Sequence, residues 1–228
     1  MSRTVHLYYT DRRTLPPDVV AGLVTAEDRE RLTETMIERR RSEYLAGRAL
    51  LRHAIGEQAG RAPSAIRIEV AATGKPDCVG GPPVSVSHSG DIVVCAIAEL
   101  PVGIDVEVAA PRDIEAVAER FFTQAENRWL VGADPQRFRM LWVLKEAYLK
   151  ASGVGIGGGL DSLECRIEPP AIVARTVDGS APPALRLLAC DEAHVGVALL
   201  GGAGPMEIEL HEFYARSGDA PRFIAATV

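Results

Sequence analysis

The sequence has only four cysteines in 228 residues, and they are too widely spaced to form a metal-binding or redox motif. They are Cys78, Cys95, Cys165 and Cys190, so no C-x-x-C pair occurs, and no histidine lies at zinc-finger spacing. This pattern predicts reduced, mostly buried thiols in a cytoplasmic protein.

Long apolar stretches are also missing. The N-terminal segment lacks the apolar core of a signal peptide, and no uninterrupted apolar run reaches membrane-spanning length. Hydrophobic residues nevertheless make up 47 % of the chain, which is enough to bury a sizeable core. We therefore expect a soluble, intracellular protein without a membrane partner.

The chain has no excess of positive charge. Its formal charge is −6, and an acidic protein does not attract nucleic acid through bulk charge. Since no nucleic-acid-binding motif occurs either, we expect no nucleic-acid partner. Arginine is nevertheless concentrated at Arg39, Arg40 and Arg41, with Arg48 and Arg52 close behind, which predicts a local basic patch.

Familiar phosphate-binding and hydrolase motifs do not occur. The turn Gly74-Lys75-Pro76 lacks the P-loop pattern, and Ser87 and His88 do not lie in a G-x-S-x-G elbow. Neighbouring residues of an extended chain point to opposite sides, so a catalytic Ser87–His88 pair is disfavoured. The turn that follows can still present small donors to an anion.

Hydrophobic periodicity predicts both strands and helices. Alternating residues predict strands over 4–9, 66–70, 84–87, 92–98, 102–108 and 206–210. Helical periodicity covers about 27–58, as one or two helices, and 113–151, with a break near 132–135. This pattern is compatible with an α+β fold.

The segment 102–108 alternates apolar residues with Gly103, Asp105 and Glu107. Because side chains alternate along a strand, Asp105 and Glu107 should lie side by side, and a cation would relieve their repulsion. Magnesium prefers oxygen ligands and takes one or two carboxylates. A solvated strand face explains the same pattern, because D-x-E is common.

A second polar face follows in the predicted helix near residue 146. Trp142, Glu146 and Lys150 are spaced at i, i+4 and i+8, so they share one side of the helix. One interpretation is an exposed Glu–Lys pair worth about 0.3–0.5 kcal/mol. The other is a third carboxylate and an ammonium directed at a phosphate.

Five motifs occur in an order that resembles the phosphopantetheinyl transferase superfamily. They are Gly74-Lys75-Pro76, Ser85 to Gly90, Gly103 to Glu107, Phe121 to Glu126 and Trp142 to Lys150. The resemblance covers about residues 40–160, and the D-x-E and W-x-x-K-E-A-x-x-K motifs are its most specific parts. The length resembles the single-chain group that activates carrier proteins of polyketide and nonribosomal peptide synthases.

The resemblance implies an α+β fold of two similar lobes, each a small antiparallel sheet packed on helices. This pseudo-dimer would be a monomer with coenzyme A bound between an N-terminal lobe, 1–102, and a C-terminal lobe, 103–228. The implied activity moves phosphopantetheine from coenzyme A to a serine of an acyl or peptidyl carrier protein. A non-catalytic coenzyme A-binding module and a magnesium-dependent phosphohydrolase remain as alternatives.

The resemblance also implies roles for individual residues. Asp105, Glu107 and Glu146 match the magnesium ligands, and Asp105, Glu146 and Lys150 match the catalytic group. The residues that match coenzyme A contacts are Arg48, Gly74, Lys75, Pro76, Ser87, His88 and Lys150. Two questions stay open: whether Glu146 is mainly a metal ligand or a general base, and which of Arg39, Arg40 and Arg41 contacts coenzyme A.

Overall fold

The computed structural model describes residues 2–111, 113–130, 132, 134–155, 159–168, 171–190, 193–202, 204–213 and the backbone of 223–225. The helices are α1 (Pro17–Leu23), α2 (Ala26–Glu30), α3 (Glu38–Ala59), α4 (Ile114–Phe121), α5 (Gln124–Trp129) and α6 (Pro135–Ser152). The strands are β1 (Thr4–Asp11), β2 (Ile68–Val70), β3 (Pro76–Cys78), β4 (Val84–Ser89), β5 (Ile92–Ile97), β6 (Val102–Glu107), β7 (Leu163–Glu168), β8 (Ala171–Thr176), β9 (Ala184–Cys190), β10 (Ala193–Leu199), β11 (Glu207–Glu212) and β12 (Phe223–Ala225).

The strands form two four-stranded sheets and two hairpins. The first sheet has the order β11-β1-β5-β4, the second has the order β12-β9-β10-β6, and the hairpins are β2-β3 and β7-β8. Small antiparallel sheets packed on helices confirm the predicted α+β class. A local difference is that β11 pairs with β1 in parallel. Strand β11 reaches β1 through a long connection and not a tight turn, and such a connection permits parallel pairing.

Each large sheet carries one long helix. Apolar residues of both sheets form one shared cluster, which includes Val5 of β1, Val94 of β5, Ile104 of β6 and Val195 of β10. A second cluster joins α3 to the first sheet, and a third joins α6 to the second. The two sheets therefore pack on each other, and α3 and α6 cover their other faces.

Two glycines allow α6 to lie directly on the second sheet. A Cβ atom at Gly103 would be 1.9 Å from the carbonyl oxygen of Ala147, and one at Gly196 would be 2.3 Å from that of Val143. Real side chains cannot approach so closely. The absence of a side chain at Gly103 thus lets the backbone of α6 lie against β6. This contact is two residues before Asp105 in the strand.

Serine hydroxyls connect the edges of the two large sheets. Strands β4 and β6 are edge strands of different sheets. The Ser85 Oγ accepts the backbone N–H of Ile104 at 3.1 Å, and the Ser89 Oγ accepts that of Val108 at 3.2 Å. These hydroxyls supply partners for N–H groups that an unpaired edge would leave open, so β4 and β6 are held side by side.

Several element boundaries differ from the prediction. The segment near 27–58, predicted as one or two helices, contains two: α2, which begins at a capping box between Thr25 and Asp28, and α3. The segment 113–151 divides into α4, α5 and α6, with a second capping box between Thr123 and Glu126. The predicted strand at 66–70 begins at Ile68.

The remaining expectations concern cysteines and membrane segments. All four cysteines are buried, as predicted. Within the part of the chain that the structure describes, no helix combines the length and apolar character needed to cross a membrane.

Candidate active site

A cleft of about 550 Å³ lies between α3, the turn before β3, strands β4 and β6, and α6. Nine of the ten predicted site residues line it: Arg48, Gly74, Pro76, Ser87, His88, Asp105, Glu107, Glu146 and Lys150. Its volume is in the range of small-molecule sites. Residues distant in sequence are therefore brought together as the resemblance implied.

Asp105 and Lys150 form the centre of the cleft. The Lys150 Nζ donates to Asp105 Oδ1 at 2.6 Å and to Ser87 Oγ at 2.9 Å, and Ser87 Oγ donates to the same Asp105 oxygen at 2.8 Å. Asp105 is only 5 % exposed, which excludes the solvated-face interpretation for this residue. Ser87, Asp105 and Lys150 meet because alternation on β4 and β6 directs the first two into the cleft and because α6 lies close to β6.

Two carboxylate oxygens in the cleft are buried and lack a hydrogen-bond partner among the described residues. They are Asp105 Oδ2 and Glu146 Oε1. Burial raises the pKa of Glu146 from its usual 4.5 to about 7, and the neighbouring Asp105 carboxylate contributes to the rise. Buried polar atoms normally have partners, so these oxygens are suited to a bound ligand or cation.

Glu107 lies on the same face of β6 as Asp105. Its Oε2 accepts a hydrogen bond from the Ser89 hydroxyl at 2.8 Å. Burial raises the pKa of Glu107, and the nearby Asp105 charge raises it further against the opposing effect of the Ser89 hydrogen bond. The cleft therefore holds three mutually repelling acidic groups.

The three carboxylates are close but do not form a closed cage. In the described structure, their oxygens do not all lie within 4.8 Å of one another. The ammonium of Lys150 sits on Asp105 and supplies positive charge there. The two buried oxygens and the raised pKa of Glu146 fit a divalent cation, and magnesium needs only one or two protein carboxylates.

Lys75 differs from the other predicted residues. Its Nζ lies 3.3 Å from the carbonyl oxygen of Val102 and 3.4 Å from that of Ala151, and it also donates to the carbonyl of Lys150. Its ammonium therefore binds the C-terminal turn of α6, where cations are stabilised. Gly74 and Pro76 line the main cleft, whereas Lys75 lines an adjoining pocket.

Arg48 presents a buried donor to the cleft. Its Nε donates to the Tyr44 hydroxyl at 3.2 Å and lies 3.7 Å from Asp28 Oδ1. Its Nη1 is buried without a partner within the described part of the chain. Arg52, one turn later, has a structural role, because its Nε donates to Asp28 Oδ2 at 2.7 Å.

The three arginines of the basic patch have different contacts. Arg39 pairs with Glu43 at 2.8 Å, Arg41 donates to the carbonyl of Thr33, and Arg40 lines the cleft. Glu43 also lies 3.7 Å from His88 Nδ1. Burial lowers the pKa of His88 despite this carboxylate, which favours a neutral imidazole at neutral pH.

Sequence reasoning did not identify Tyr44, Glu43 or Met36 as part of the cleft wall. Tyr44 precedes Arg48 by one helical turn, and the arginine side chain lies over its ring at 5.2 Å. An aromatic residue four positions before a candidate phosphate-binding arginine is the signal that could have identified it. Glu43 and Met36 carry no comparable signal.

Comparison with known proteins matches two family models in one chain. Residues 28–98 match the 4'-phosphopantetheinyl transferase N-terminal domain, and residues 101–196 match the 4'-phosphopantetheinyl transferase superfamily. The residues that line the cleft from α3 to α6 fall within these two matches.

Individual relatives give the same result. The 4'-phosphopantetheinyl transferase psf-1 of Bacillus pumilus is 37 % identical over 70 % of this chain and 70 % of that protein. The 4'-phosphopantetheinyl transferase Sfp of Bacillus subtilis (strain 168) is 32 % identical, over 71 % and 75 %. HetI of Nostoc sp. is 30 % identical, over 80 % and 81 %. The chain belongs to the 4'-phosphopantetheinyl transferase superfamily.

Proposed function

We propose that the chain transfers the phosphopantetheine group of coenzyme A to a serine of an acyl or peptidyl carrier protein and releases adenosine 3′,5′-bisphosphate. The observation that carries this proposal is the pair of buried oxygens on Asp105 and Glu146, beside the ammonium of Lys150. Acidic groups next to a cation suit a substrate that carries a diphosphate together with magnesium.

Asp105, Glu107 and Glu146 are the residues that would hold magnesium. When bound, magnesium neutralises charge on the diphosphate and fixes its orientation. Burial makes the mutual repulsion of these carboxylates large, and the carboxylates can therefore favour binding of a cation. Ser87 and Ser89 hold Asp105 and Glu107 in place through their hydroxyl groups.

The proton transfer is assigned to Glu146. The carrier serine oxygen forms a bond to the phosphorus that bears pantetheine, and the bond from that phosphorus to the bridging oxygen breaks. Glu146 takes the serine proton, directly or through a water, because its carboxylate lines the cleft and has a buried oxygen without a partner among the described residues. Lys150 offsets the negative charge that develops on the bridging oxygen.

Arg48 and Arg40 of α3 are assigned to the separate 3′-phosphate of coenzyme A. The buried Nη1 of Arg48 can donate to a phosphate oxygen, for which a guanidinium is well shaped. Arg40 is the member of the basic patch that lines the same cleft. Gly74 and Pro76 line the same cleft and are assigned to the nucleotide part of coenzyme A.

The organisation of the chain is proposed on the same basis. The lobes would be 1–102 and 103–228, the active form a monomer, and the compartment the cytoplasm, where thiols stay reduced. Strand β11 of the later segment pairs with β1 of the earlier one, so the two lobes would share a sheet.

The decisive experiment incubates the purified protein with coenzyme A and several apo carrier proteins, with magnesium or with a chelator. The proposal expects a mass gain of one phosphopantetheine group on the carrier, lost in the chelated sample. Asp105→Asn and Glu146→Gln should lose transfer, while Glu115→Gln, an exposed control on α4, should keep it.

The alternatives predict other outcomes. A non-catalytic binding module would bind coenzyme A without modifying any carrier. A phosphohydrolase would release phosphate from coenzyme A in the absence of a carrier. Normal transfer by Asp105→Asn and Glu146→Gln would overturn the mechanism.

A further inference from the structure

A second cluster of metal-ligating side chains lies on the first sheet. His6 is on β1, and Glu209 and His211 are on β11. In the parallel register, His6 lies opposite Glu209 and Tyr8 lies opposite His211, so all three ligating side chains are on one face. They are not among the residues that line the candidate active site, so the proposed reaction does not explain them.

The spacing of this cluster suits a small metal ion. His6 Nδ1 is 3.2 Å from His211 Nε2 and 3.2 Å from Glu209 Oε2, and one ligand atom from each residue fits within a mutual 4.8 Å. For a tetrahedral zinc ion with bonds of about 2.0–2.1 Å, neighbouring ligand atoms are roughly 3.3 Å apart. The observed spacing is therefore close to that of two edges of a zinc tetrahedron.

The surroundings hold His211 in the orientation that a ligand needs. Its ring stacks on Tyr8, with centroids 4.4 Å apart and planes at 11°, and Gln58 holds the Tyr8 hydroxyl at 2.8 Å. The other ring nitrogen, Nδ1, lies 3.9 Å from Glu57 Oε1 on α3. Metal-bound histidines commonly direct their second nitrogen to a carboxylate.

A hydrogen bond shared by His6 with His211 and Glu209 is the competing explanation. In that arrangement one proton lies between His6 Nδ1 and His211 Nε2, and either ring can donate it. A single cation would instead contact one atom of each of the three side chains at once, and this is what the binding test measures.

We propose that His6, Glu209 and His211 bind one Zn²⁺ ion, with water as the fourth ligand and Glu57 as the outer partner of His211. Two imidazoles and one carboxylate form a donor set that zinc accepts. The ion would fasten β11 to β1, and so attach the later part of the chain to its first strand. Glu209 is 57 % exposed in its side chain, which leaves a path for the ion to enter.

The test titrates the full-length, chelator-treated protein with Zn²⁺ in competition with a chromophoric chelator. We expect one tight equivalent in the wild type, and a tetrahedral visible spectrum when Co²⁺ replaces Zn²⁺. Glu209→Gln and His211→Gln should lose both signals. Glu207→Gln is the matched control, because it removes the same charge from the same face of β11 and should bind as the wild type does.

Two further variants separate this cluster from other sites. Asp105→Asn should leave the tight equivalent unchanged, because Asp105 belongs to the cleft. Glu57→Gln should weaken Zn²⁺ binding by about 10- to 100-fold. Zn²⁺ should also raise the unfolding temperature of the wild type but not that of Glu209→Gln, whose exposed side chain is the least disruptive to replace.

Two results would overturn the proposal. One is the absence of a tight equivalent in the wild type. The other is equal Zn²⁺ binding by the wild type and folded Glu209→Gln. Either result would mean that the cluster is a hydrogen-bonded pair of histidines and not a metal site.

Discussion

Helix α6 carries two lysines five positions apart, and each pairs with a carboxylate in a different way. Lys145 and Glu126 are completely buried, and the lysine Nζ lies 2.7 Å from both oxygens of Glu126. Lys150 is 29 % exposed in its side chain and pairs with Asp105, which leaves Asp105 Oδ2 buried without a partner among the described residues.

The two pairs differ in how completely the protein supplies their partners. Glu126 also accepts the backbone N–H groups of Cys165 and Thr123, at 2.8 Å each, and Lys145 donates to the carbonyl of Leu163. The first pair is therefore complete within the fold. The second is incomplete, and an incomplete polar group at a cleft marks where a ligand supplies the rest.

The largest expected effect separates the two lysines. Lys145→Met should lower the free energy of unfolding by about 3–5 kcal/mol, because it leaves the buried Glu126 charge unpaired. Lys150→Met should cost less stability, because Lys150 is partly exposed and Asp105 keeps its hydrogen bond from Ser87, and it should abolish carrier modification. Denaturant unfolding and a transfer assay on both variants test this, and equal stability losses would break the distinction.

The close approach of α6 to β6 underlies the position of both pairs. Gly103→Ala should cost at least about 1–3 kcal/mol, because the added Cβ would overlap the Ala147 carbonyl and displace α6. Gly22→Ala is the control, since it also lies in a helix but has open space around it, and it should be neutral or slightly stabilising. Thermal unfolding of the two variants should therefore give shifts of different sizes, and similar shifts would contradict the packing argument.

Arg48 on α3 resembles Asp105, because its buried Nη1 also has no hydrogen-bond partner among the described residues. Arg48→Lys keeps a positive charge but loses the guanidinium fork, so the KM for coenzyme A should rise about tenfold, as expected for one lost charged hydrogen bond of roughly 1.4 kcal/mol. Steady-state kinetics at saturating carrier protein measure this. An unchanged KM would remove Arg48 from the coenzyme A site.

Glu146 gives an effect on stability that appears only as the pH rises. Its pKa is raised in the folded protein, so between about pH 4.5 and 7 the folded state binds a proton that the unfolded state has lost, and stability falls as pH rises. In the presence of a chelator, Glu146→Gln should gain stability relative to the wild type by about 3 kcal/mol between pH 4.5 and pH 8, because one pKa unit corresponds to about 1.4 kcal/mol. The gain should vanish below pH 4.5, and a gain that is constant with pH would contradict the assignment.

Local periodicity predicted the polar faces of β6 and α6 correctly. Asp105 and Glu146 follow from alternation on a strand and spacing on a helix, and both rules depend only on neighbouring residues. The order of the motifs then indicated the family, which the comparisons confirm. The placement of polar side chains on single regular elements was therefore accessible from the sequence, and their chemical roles stay predictions.

Contacts between distant segments could not be predicted in the same way. The ammonium of Lys75 binds the end of α6, a partner that only the tertiary fold brings near, and its contact with coenzyme A stays a prediction. The pairing of His6 with Glu209 depends on the parallel register of β1 and β11. No local pattern encodes a register between strands that lie far apart in the sequence.

The glycine at position 103 also has a consequence for protein engineering. A library intended to change carrier preference would naturally include the residues around Asp105, yet any side chain at 103 would disturb the helix that supplies Glu146 and Lys150. Variation is better directed to the opposite wall, at Met36, because Tyr44 beside it holds Arg48 through its hydroxyl and its ring.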